Sequence, residues 1–248
     1  MAAAVQPVSA PTRRVIFTQG GKGGVGKTMF MTGLVEWFDF RRIPYSLLDL
    51  DTENKLRGSL RHYFRNKAKK VNIHTADGLD SLVQAWDRDT PIVLADLGAG
   101  SGQVVHQWFQ SLDAGGRDSG VAFTAVGVLT PDPASVESVL SWAFALQRKV
   151  NYLIVKNALT YPASFSYWER SVPADRFRQI FSPQEIEMEY RAPQFESLIR
   201  QFGATIGQAA GRELDIPELQ QFTVVVRAQA YRRHLFSELD RVKGLLLL

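Results

Sequence analysis

The residue types that could do chemistry are concentrated in one glycine-rich segment near the start of the chain. Residues 21–28 fit the spacing G-x-x-x-x-G-K-[ST]. Glycine suits such a loop because backbone N–H groups must curl around phosphate oxygens without an intruding Cβ. We predict that Lys27 reaches the β- and γ-phosphates of a nucleotide and that Thr28 Oγ1 binds Mg²⁺. The predicted nucleotide-binding residues of the loop are Gly21, Lys22, Gly23, Gly24, Val25, Gly26, Lys27 and Thr28.

A second lysine, Lys22, stands five residues before Lys27, where an ordinary phosphate loop needs no charge. With it, residues 22–28 resemble the K-G-G-x-G-K-[ST] hallmark of the ParA/MinD family of deviant Walker A ATPases, a branch of the SIMIBI class of P-loop NTPases. In that family the first lysine reaches the nucleotide of the other subunit. The resemblance therefore implies an ATP-dependent homodimer in which Lys22 acts across the interface and contributes to catalysis with Lys27. The alternative is that Lys22 is an ordinary solvated loop lysine.

Two acids follow the second apolar run, in the segment Leu47-Leu48-Asp49-Leu50-Asp51-Thr52-Glu53-Asn54. We predict that Asp49 and Asp51 face opposite ways and have different roles. The segment is similar to the D-x-D-P-x-x-N stretch of ParA-like proteins, with Thr52 in place of the usual proline. That resemblance implies that Asp51 helps to place the attacking water, that Asp49 supports the Mg²⁺ shell and that Asn54 lies in a switch region. A pair of acids capping a following helix is the alternative.

A third acid closes the apolar run 91–96 and precedes glycines, in the order Asp96-Leu97-Gly98-Ala99-Gly100. This looks like a Walker B motif leading into a second switch, with Asp96 holding Mg²⁺ through water. Gly98 and Gly100 would let that segment move when the γ-phosphate leaves. An aspartate at the end of a buried strand can also simply form a turn.

For the base of the nucleotide, the resemblance points to two later positions. Asn157 stands where the family often has an asparagine that contacts adenine, and Pro193 lies in a segment that often flanks the ring. Either could equally be a plain loop residue. No guanine-recognition sequence N-K-x-D is present, so we predict ATP rather than GTP.

These residues must be positioned by alternating strands and helices. Short aliphatic runs predict strands, and the stretches between them have helical periodicity, ending in a long helix at about 223–243. The predicted strands are 14–18, 45–50, 71–74, 91–96, 121–129, 152–156 and 185–189. This alternation predicts an α/β fold: a single P-loop domain over 14–248 with a mostly parallel, twisted sheet and helices on both faces. Residues 1–13 are expected to be a disordered tail.

Composition narrows the classes of function. The chain of 248 residues contains no cysteine, which excludes disulfides, thiolate metal sites and the cysteine-dependent relatives of this family. We expect a reducing, cytoplasmic setting. No apolar run approaches the roughly 18 residues that span a bilayer, so no integral membrane span is predicted.

Positive charge is concentrated in one segment. Of 29 Lys and Arg, seven lie between Asn54 and Ala76, where there is no acid. The rest of the chain therefore has 22 Lys and Arg and 25 Asp and Glu. Three arginines spaced four apart would share one helical face, and we predict that this face binds the DNA backbone without sequence preference. The residues of this predicted contact are Arg57, Arg61, Arg65, Lys67, Lys69 and Lys70. A solvated helix face is the alternative.

Among compact relatives, the chain looks most like the partition and conjugative-transfer ATPases often called ParA or TraL. The implied function is a slow Mg²⁺-dependent ATPase switch that positions plasmid, DNA or other cargo, with a protein activator or cargo adaptor as partner. Three alternatives are a MinD-like membrane cycler using the leucine-rich residues 242–248, a chaperone-like ATPase, and a small-molecule ligase of the dethiobiotin synthetase type.

Overall fold

The computed structural model describes residues 11–52, 58–75, 78–85, 90–111 and 120–248. These residues form one seven-stranded sheet in which every strand pair is parallel, in the order β3-β2-β4-β1-β5-β6-β7. The strands are β1 (Arg13–Gln19), β2 (Ser46–Leu50), β3 (Ala68–Lys70), β4 (Ile92–Leu97), β5 (Val121–Leu129), β6 (Asn151–Asn157) and β7 (Gln184–Met188). The predicted α/β architecture with a parallel sheet is confirmed.

The helices cover both faces of this sheet. They are α1 (Lys27–Arg41), α2 (Leu60–Tyr63), α3 (Ser81–Gln84), α4 (Gly102–Ser111), α5 (Pro133–Leu146), α6 (Ser166–Arg170), α7 (Val172–Phe181), α8 (Pro193–Phe202), α9 (Ile206–Gly211), α10 (Pro217–Gln220) and α11 (Phe222–Arg241). One apolar layer joins the sheet to α1 and α8–α11, and the other joins it to α3–α7. Alternate residues of β1 serve the two layers: Ile16 belongs to the first, Val15 and Phe17 to the second.

The sheet order determines where a ligand can bind. The central strand β1 lies between β4 and β5, so the loop from β1 to α1 opens where the strand order changes direction. In open parallel sheets the crevice at such a point, at the carboxyl ends of the strands, receives ligands. The glycine loop, Asp51, Asp96 and Asn157 all follow or end strands at this edge.

One predicted boundary in the basic segment was wrong. The strand expected at 71–74 lies three residues earlier, at Ala68–Lys70, because pairing with Leu47–Asp49 of β2 fixes its place. Within the predicted tail, Thr12 and Arg13 donate backbone hydrogen bonds to Gly120 O, and Arg13 begins β1. The rest of that tail, residues 1–10, lies outside the described residues.

The leucine-rich segment 244–248 packs against the body of the protein. Arg14, nearly buried at the start of β1, donates hydrogen bonds to the carbonyl oxygens of Leu245 and Leu247. Thr124 of β5 also donates to Leu245 O, and Leu246 is fully buried. None of the helices in the described part of the chain is long and apolar enough to cross a membrane.

Candidate functional site

The glycine loop has the backbone that its sequence requires. Gly24 and Gly26 have φ values of 75° and 100°, in the left-handed region that favours glycine. A Cβ on Gly26 would also lie 2.5 Å from Asn157 Nδ2, whereas a Cβ on Gly23 or Gly24 would meet no atom within 4 Å. The loop is therefore held closely on the Asn157 side, with free space beside Gly23 and Gly24. A phosphate group fits this arrangement because α1 begins at Lys27 and directs its N-terminal dipole to the loop.

Lys27, Thr28 and Asp96 meet beneath this loop. Lys27 is nearly buried, and its Nζ donates to Lys22 O at 3.0 Å. Thr28 Oγ1 donates to Asp96 Oδ2 at 2.6 Å, and Thr18 Oγ1 donates to Asp96 Oδ1 at 2.9 Å. Thr18 was not among the site residues predicted from the sequence. The only sequence signal for it is its position just before the glycine loop.

Burial raises the pKa of Asp96 to about 6, while the hydrogen bonds from Thr28 and Thr18 oppose the shift. A bound cation would favour the charged carboxylate. The described residues contain no group of three or more His, Asp or Glu side chains that could hold a metal alone. Mg²⁺ needs no such group, since it is commonly held by one or two protein ligands, water and phosphate oxygens. Thr28 with Asp96 is therefore a donor set that fits Mg²⁺ bound to a nucleotide.

Lys22 lies on the exposed side of the loop, against the first turns of α5. Gly21 N and Lys22 N both donate to Ser138 Oγ, at 2.5 and 3.0 Å, and Lys22 Nζ lies 3.3 Å from Asp132 Oδ2. Asp132 caps α5 through Ala134 N, and that hydrogen bond is the main reason that the pKa of Asp132 is lowered. The loop backbone is thus fixed on α5 while the lysine side chain stays about half exposed. Ser138 is 116 residues from Lys22, and no local pattern could have identified it.

Asp49 and Asp51 have different environments, but not because they alternate across a strand. Residues two apart on a strand share a face, so the prediction that they face opposite ways was wrong in its geometry. They differ because β2 ends at Leu50. Asp49 is fully buried: its Oδ1 accepts from Asp51 N and Lys70 Nζ, and its Oδ2 accepts from Arg61 N.

Both carboxylate oxygens of Asp49 therefore already have protein donors, and its place in a Mg²⁺ shell stays a prediction. Asp51 is almost buried, and its Oδ1 lies 2.4 Å from where a Cβ on Gly98 would be. The acid predicted to place water thus packs directly on Gly98, in the segment predicted to be the second switch. Asn54, predicted to belong to the first switch, lies outside the described residues.

The two residues predicted to flank the base are placed differently. Asn157 is fully buried; its Nδ2 donates to Val25 O at 2.8 Å, and its Oδ1 faces Arg191 Nη2 at 3.5 Å. It supports the phosphate loop here, so contact with adenine stays a prediction that requires the side chain to turn. Pro193 is exposed at the first position of α8. Arg191 is held by Glu196 and by Tyr231 Oη.

The predicted basic helical face does not form as a single surface. Helix α2 ends at Tyr63, so Arg61 is helical while Arg65 lies in the turn that follows. Lys67 pairs with Asp39 at 2.8 Å, and Lys70 is used by Asp49. Arg61, Arg65 and Lys69 are exposed and form no ion pair with another described residue. Arg57 lies outside the described residues.

Comparison with known proteins identifies the fold. No protein-family model and no curated protein matches the chain. Among solved structures, the MinD cell division protein of Aquifex aeolicus matches with 13% identity over 94% of this chain and 98% of its own, at a TM-score of 0.52. The MinC:MinD cell division protein complex of the same organism matches with 15% identity over 94% and 96%, also at 0.52. The chain therefore has the fold of these MinD structures, and at these identities the likeness extends to the fold alone.

Proposed function

We propose that this protein is an ATP-switched ATPase of the ParA/MinD type that binds Mg²⁺ and ATP, hydrolyses the nucleotide slowly and dimerises when ATP is bound. The observation that carries the proposal is the cluster under the glycine loop. There a nearly buried Lys27 sits at the start of α1, and Thr28 Oγ1 lies 2.6 Å from the buried carboxylate of Asp96. Phosphoryl transfer from a nucleotide in a P-loop protein requires these parts: a strand, a glycine loop with this lysine and threonine, and an acid that closes the neighbouring strand.

Each residue has a separate part in the proposed reaction. The backbone N–H groups of the loop and the N-terminus of α1 bind the phosphates. Lys27 exchanges Lys22 O for the β- and γ-phosphates, and Thr28 with Asp96 holds the metal. The Mg²⁺ ion, when bound, neutralises charge on the phosphate oxygens. Asp51 orients the attacking water beside Gly98.

Dimerisation through Lys22 is supported by how weakly its side chain is held. The ion pair with Asp132 joins two side chains that are each about half exposed, and exposed pairs of this kind contribute little to stability. Ser138 meanwhile fixes the backbone of Lys22. The side chain can therefore leave Asp132 for the nucleotide of a second protomer at small cost, without any change in the loop.

The biological role that we propose is cargo positioning, in partition or conjugative transfer, with a protein activator or adaptor. One solved neighbour is a MinC:MinD complex, and binding of a partner by this fold is consistent with that role. DNA backbone is the proposed acidic ligand of Arg61, Arg65 and Lys69, which remain exposed. The backbone N–H of Arg61 donates to Asp49, so a nucleotide-dependent shift of Asp49 would move the start of α2 and the arginine on it.

The test compares three variants with the wild type. Lys27→Ala should lose binding of Mg²⁺ and ATP in calorimetry, because the phosphates lose the lysine that the loop directs at them. Lys22→Ala should bind ATP normally but remain a monomer in light scattering with a non-hydrolysable analogue. Lys243→Ala is the matched control, an exposed lysine that should behave as wild type.

Near-native ATP affinity in Lys27→Ala would refute the nucleotide site, and a normal ATP-bound dimer in Lys22→Ala would refute the role across the interface. The same proteins, titrated with duplex DNA over a salt series, test the proposed ligand. Backbone binding should weaken steeply with salt and ignore sequence. If the wild type shows no ATP-dependent DNA binding at low salt, DNA is not the ligand. The proposal of an ATP-switched ATPase would then stand without it.

A further inference from the structure

Lys70 makes two contacts that belong to the nucleotide site rather than to a surface. It ends β3, directly opposite Asp49 of β2 in the strand register. Its Nζ lies 2.9 Å from Asp49 Oδ1 and also donates to the backbone carbonyl oxygen of Asp51. The Asp49 side chain is fully buried and about a quarter of the Lys70 side chain is exposed. These two contacts therefore hold the Lys70 side chain at the inner edge of the site.

Asp49 extends these contacts to the segments on either side. Its Oδ1 accepts from Asp51 N at 3.2 Å, and its Oδ2 accepts from Arg61 N at 2.9 Å, at the start of α2. One buried carboxylate thus joins the end of β2, the start of α2 and, through Lys70, the end of β3.

The backbone of Asp51 is consequently held at both of its peptide groups. Asp49 accepts from its N–H, and Lys70 donates to its carbonyl oxygen. The side chain of Asp51 packs on Gly98, where an added Cβ would lie 2.4 Å from Asp51 Oδ1. A small shift of the backbone would therefore move the carboxylate relative to the second switch segment.

We propose that Lys70 is a positioning residue for ATP hydrolysis, which with Asp49 fixes the backbone of Asp51 so that its carboxylate faces the attacking water. The inference rests on the proposed function and deepens it. It also gives Lys70 a role different from the DNA contact that its sequence context suggests. Lys70 itself need not touch the nucleotide, so its removal should affect turnover more than binding. Misplacement of a reacting group by about 1 Å can cost on the order of 100-fold in rate.

The experiment measures kcat, KM and ATP affinity, together with thermal unfolding without nucleotide. Lys70→Met should lower kcat by about tenfold or more while ATP affinity by calorimetry stays within about twofold, and Lys70→Arg should recover part of the loss. Lys156→Met is the matched control, since Lys156 of β6 likewise pairs at 2.6 Å with an acid, Glu187, opposite it on the next parallel strand. It should leave kcat unchanged.

The double variant Asp49→Asn/Lys70→Met separates a positioning role of Lys70 from a purely structural one. That double variant removes both charges, so it should unfold at a higher temperature than Lys70→Met, in which a buried carboxylate has lost its partner. If Lys70 positions Asp51, kcat of the double variant stays low although stability returns, and Asp49→Asn alone, which keeps an acceptor for Asp51 N, loses less kcat than the double variant. The double variant also replaces Lys70→Met if the single variant does not fold.

Three outcomes would overturn the inference. They are unchanged kcat in Lys70→Met, recovery of kcat together with stability in the double variant, and an Asp49→Asn variant as slow as the double with a raised Mg²⁺ requirement. In each of these the wild type still binds and hydrolyses ATP, so the proposed function survives. Wild type that does not hydrolyse ATP overturns both.

Discussion

At the scale of single residues, Gly26 is the position where the loop tolerates least change. Its φ of 100° is one that residues with a Cβ rarely adopt, and Asn157 Nδ2 would lie 2.5 Å from an added Cβ. That asparagine cannot easily withdraw, because it is fully buried and donates to Val25 O. Conformation and space therefore both require glycine at the residue that precedes α1.

We predict that Gly26→Ala abolishes measurable binding of Mg²⁺ and ATP in calorimetry. The left-handed backbone alone costs about 1–2 kcal/mol for a residue with a Cβ, and the clash with Asn157 adds to it. Gly23→Ala is the control: Gly23 does not have a positive φ, and its added Cβ meets no atom of the protein within 4 Å. Equal losses in the two variants would mean that the ligand, rather than Asn157, determines the requirement for glycine.

At the scale of elements, the sequence predicts what is local and long. The glycine loop, the nine-residue β5 and the 20-residue α11 have strong patterns of their own, and the structure confirms these elements. The segment 58–75 has no strong pattern of its own, because α2 has four residues and β3 has three. Elements this short are placed by their partners, here the register of Ala68 with Leu47. For the same reason no sequence pattern identified Ser138, and the sequence placed Lys70 on a DNA-binding face instead of beside Asp49.

The edge strand β7 shows how one element protects another. Glu238 of α11 accepts from Glu187 N, and Arg241 of α11 donates to Glu185 O at 2.7 Å. These side chains occupy backbone groups that would otherwise be available to a strand of another molecule. Helix α11 therefore covers the edge in addition to packing on the sheet.

We predict that Glu238→Ala/Arg241→Ala lowers the free energy of unfolding by about 1–3 kcal/mol, because two hydrogen bonds to β7, each worth about 0.5–1.5 kcal/mol, are lost. The variant should also aggregate on mild heating in a concentration-dependent way, through the uncovered edge. Urea unfolding and light scattering measure the two effects. Arg233→Ala, at an exposed position of the same helix, should change neither. Lower stability without aggregation would show that the edge is protected by something other than these side chains.

At the scale of the whole molecule, a few polar side chains within the packed layers hold outer segments of the chain in place. Arg14 binds the segment 244–248 at one end of β1. On the face covered by α1, Glu36 accepts from Gly207 N at 2.7 Å, so it joins α1 to the start of α9. Burial raises the pKa of Glu36 to about 7, although the hydrogen bonds from Thr205 and Gly207 and the charge of Arg232 oppose the shift. The packing of α1 against α9 is therefore expected to depend on pH through the ionisation of Glu36.

The last prediction concerns the pH dependence of stability. Since the pKa of Glu36 is higher in the folded protein than its ordinary value of 4.5, the folded state binds more protons between those values than the unfolded state does. Its contribution to the free energy of unfolding is therefore greatest at low pH, falls as pH rises from about 5 to about 7, and is constant above that. The total change is at most about 3 kcal/mol.

Glu36→Gln keeps an acceptor for Gly207 N but cannot ionise. In urea unfolding from about pH 5 to about pH 8, the variant should gain stability relative to wild type as pH rises, because only the wild type must bury a charge. Asp96, whose pKa is also raised, gives both proteins the same slope, so the difference between them reports Glu36 alone. A difference that stays constant over this range would mean that Glu36 remains charged in the folded protein, and its link between α1 and α9 would then be an ordinary ionised cap.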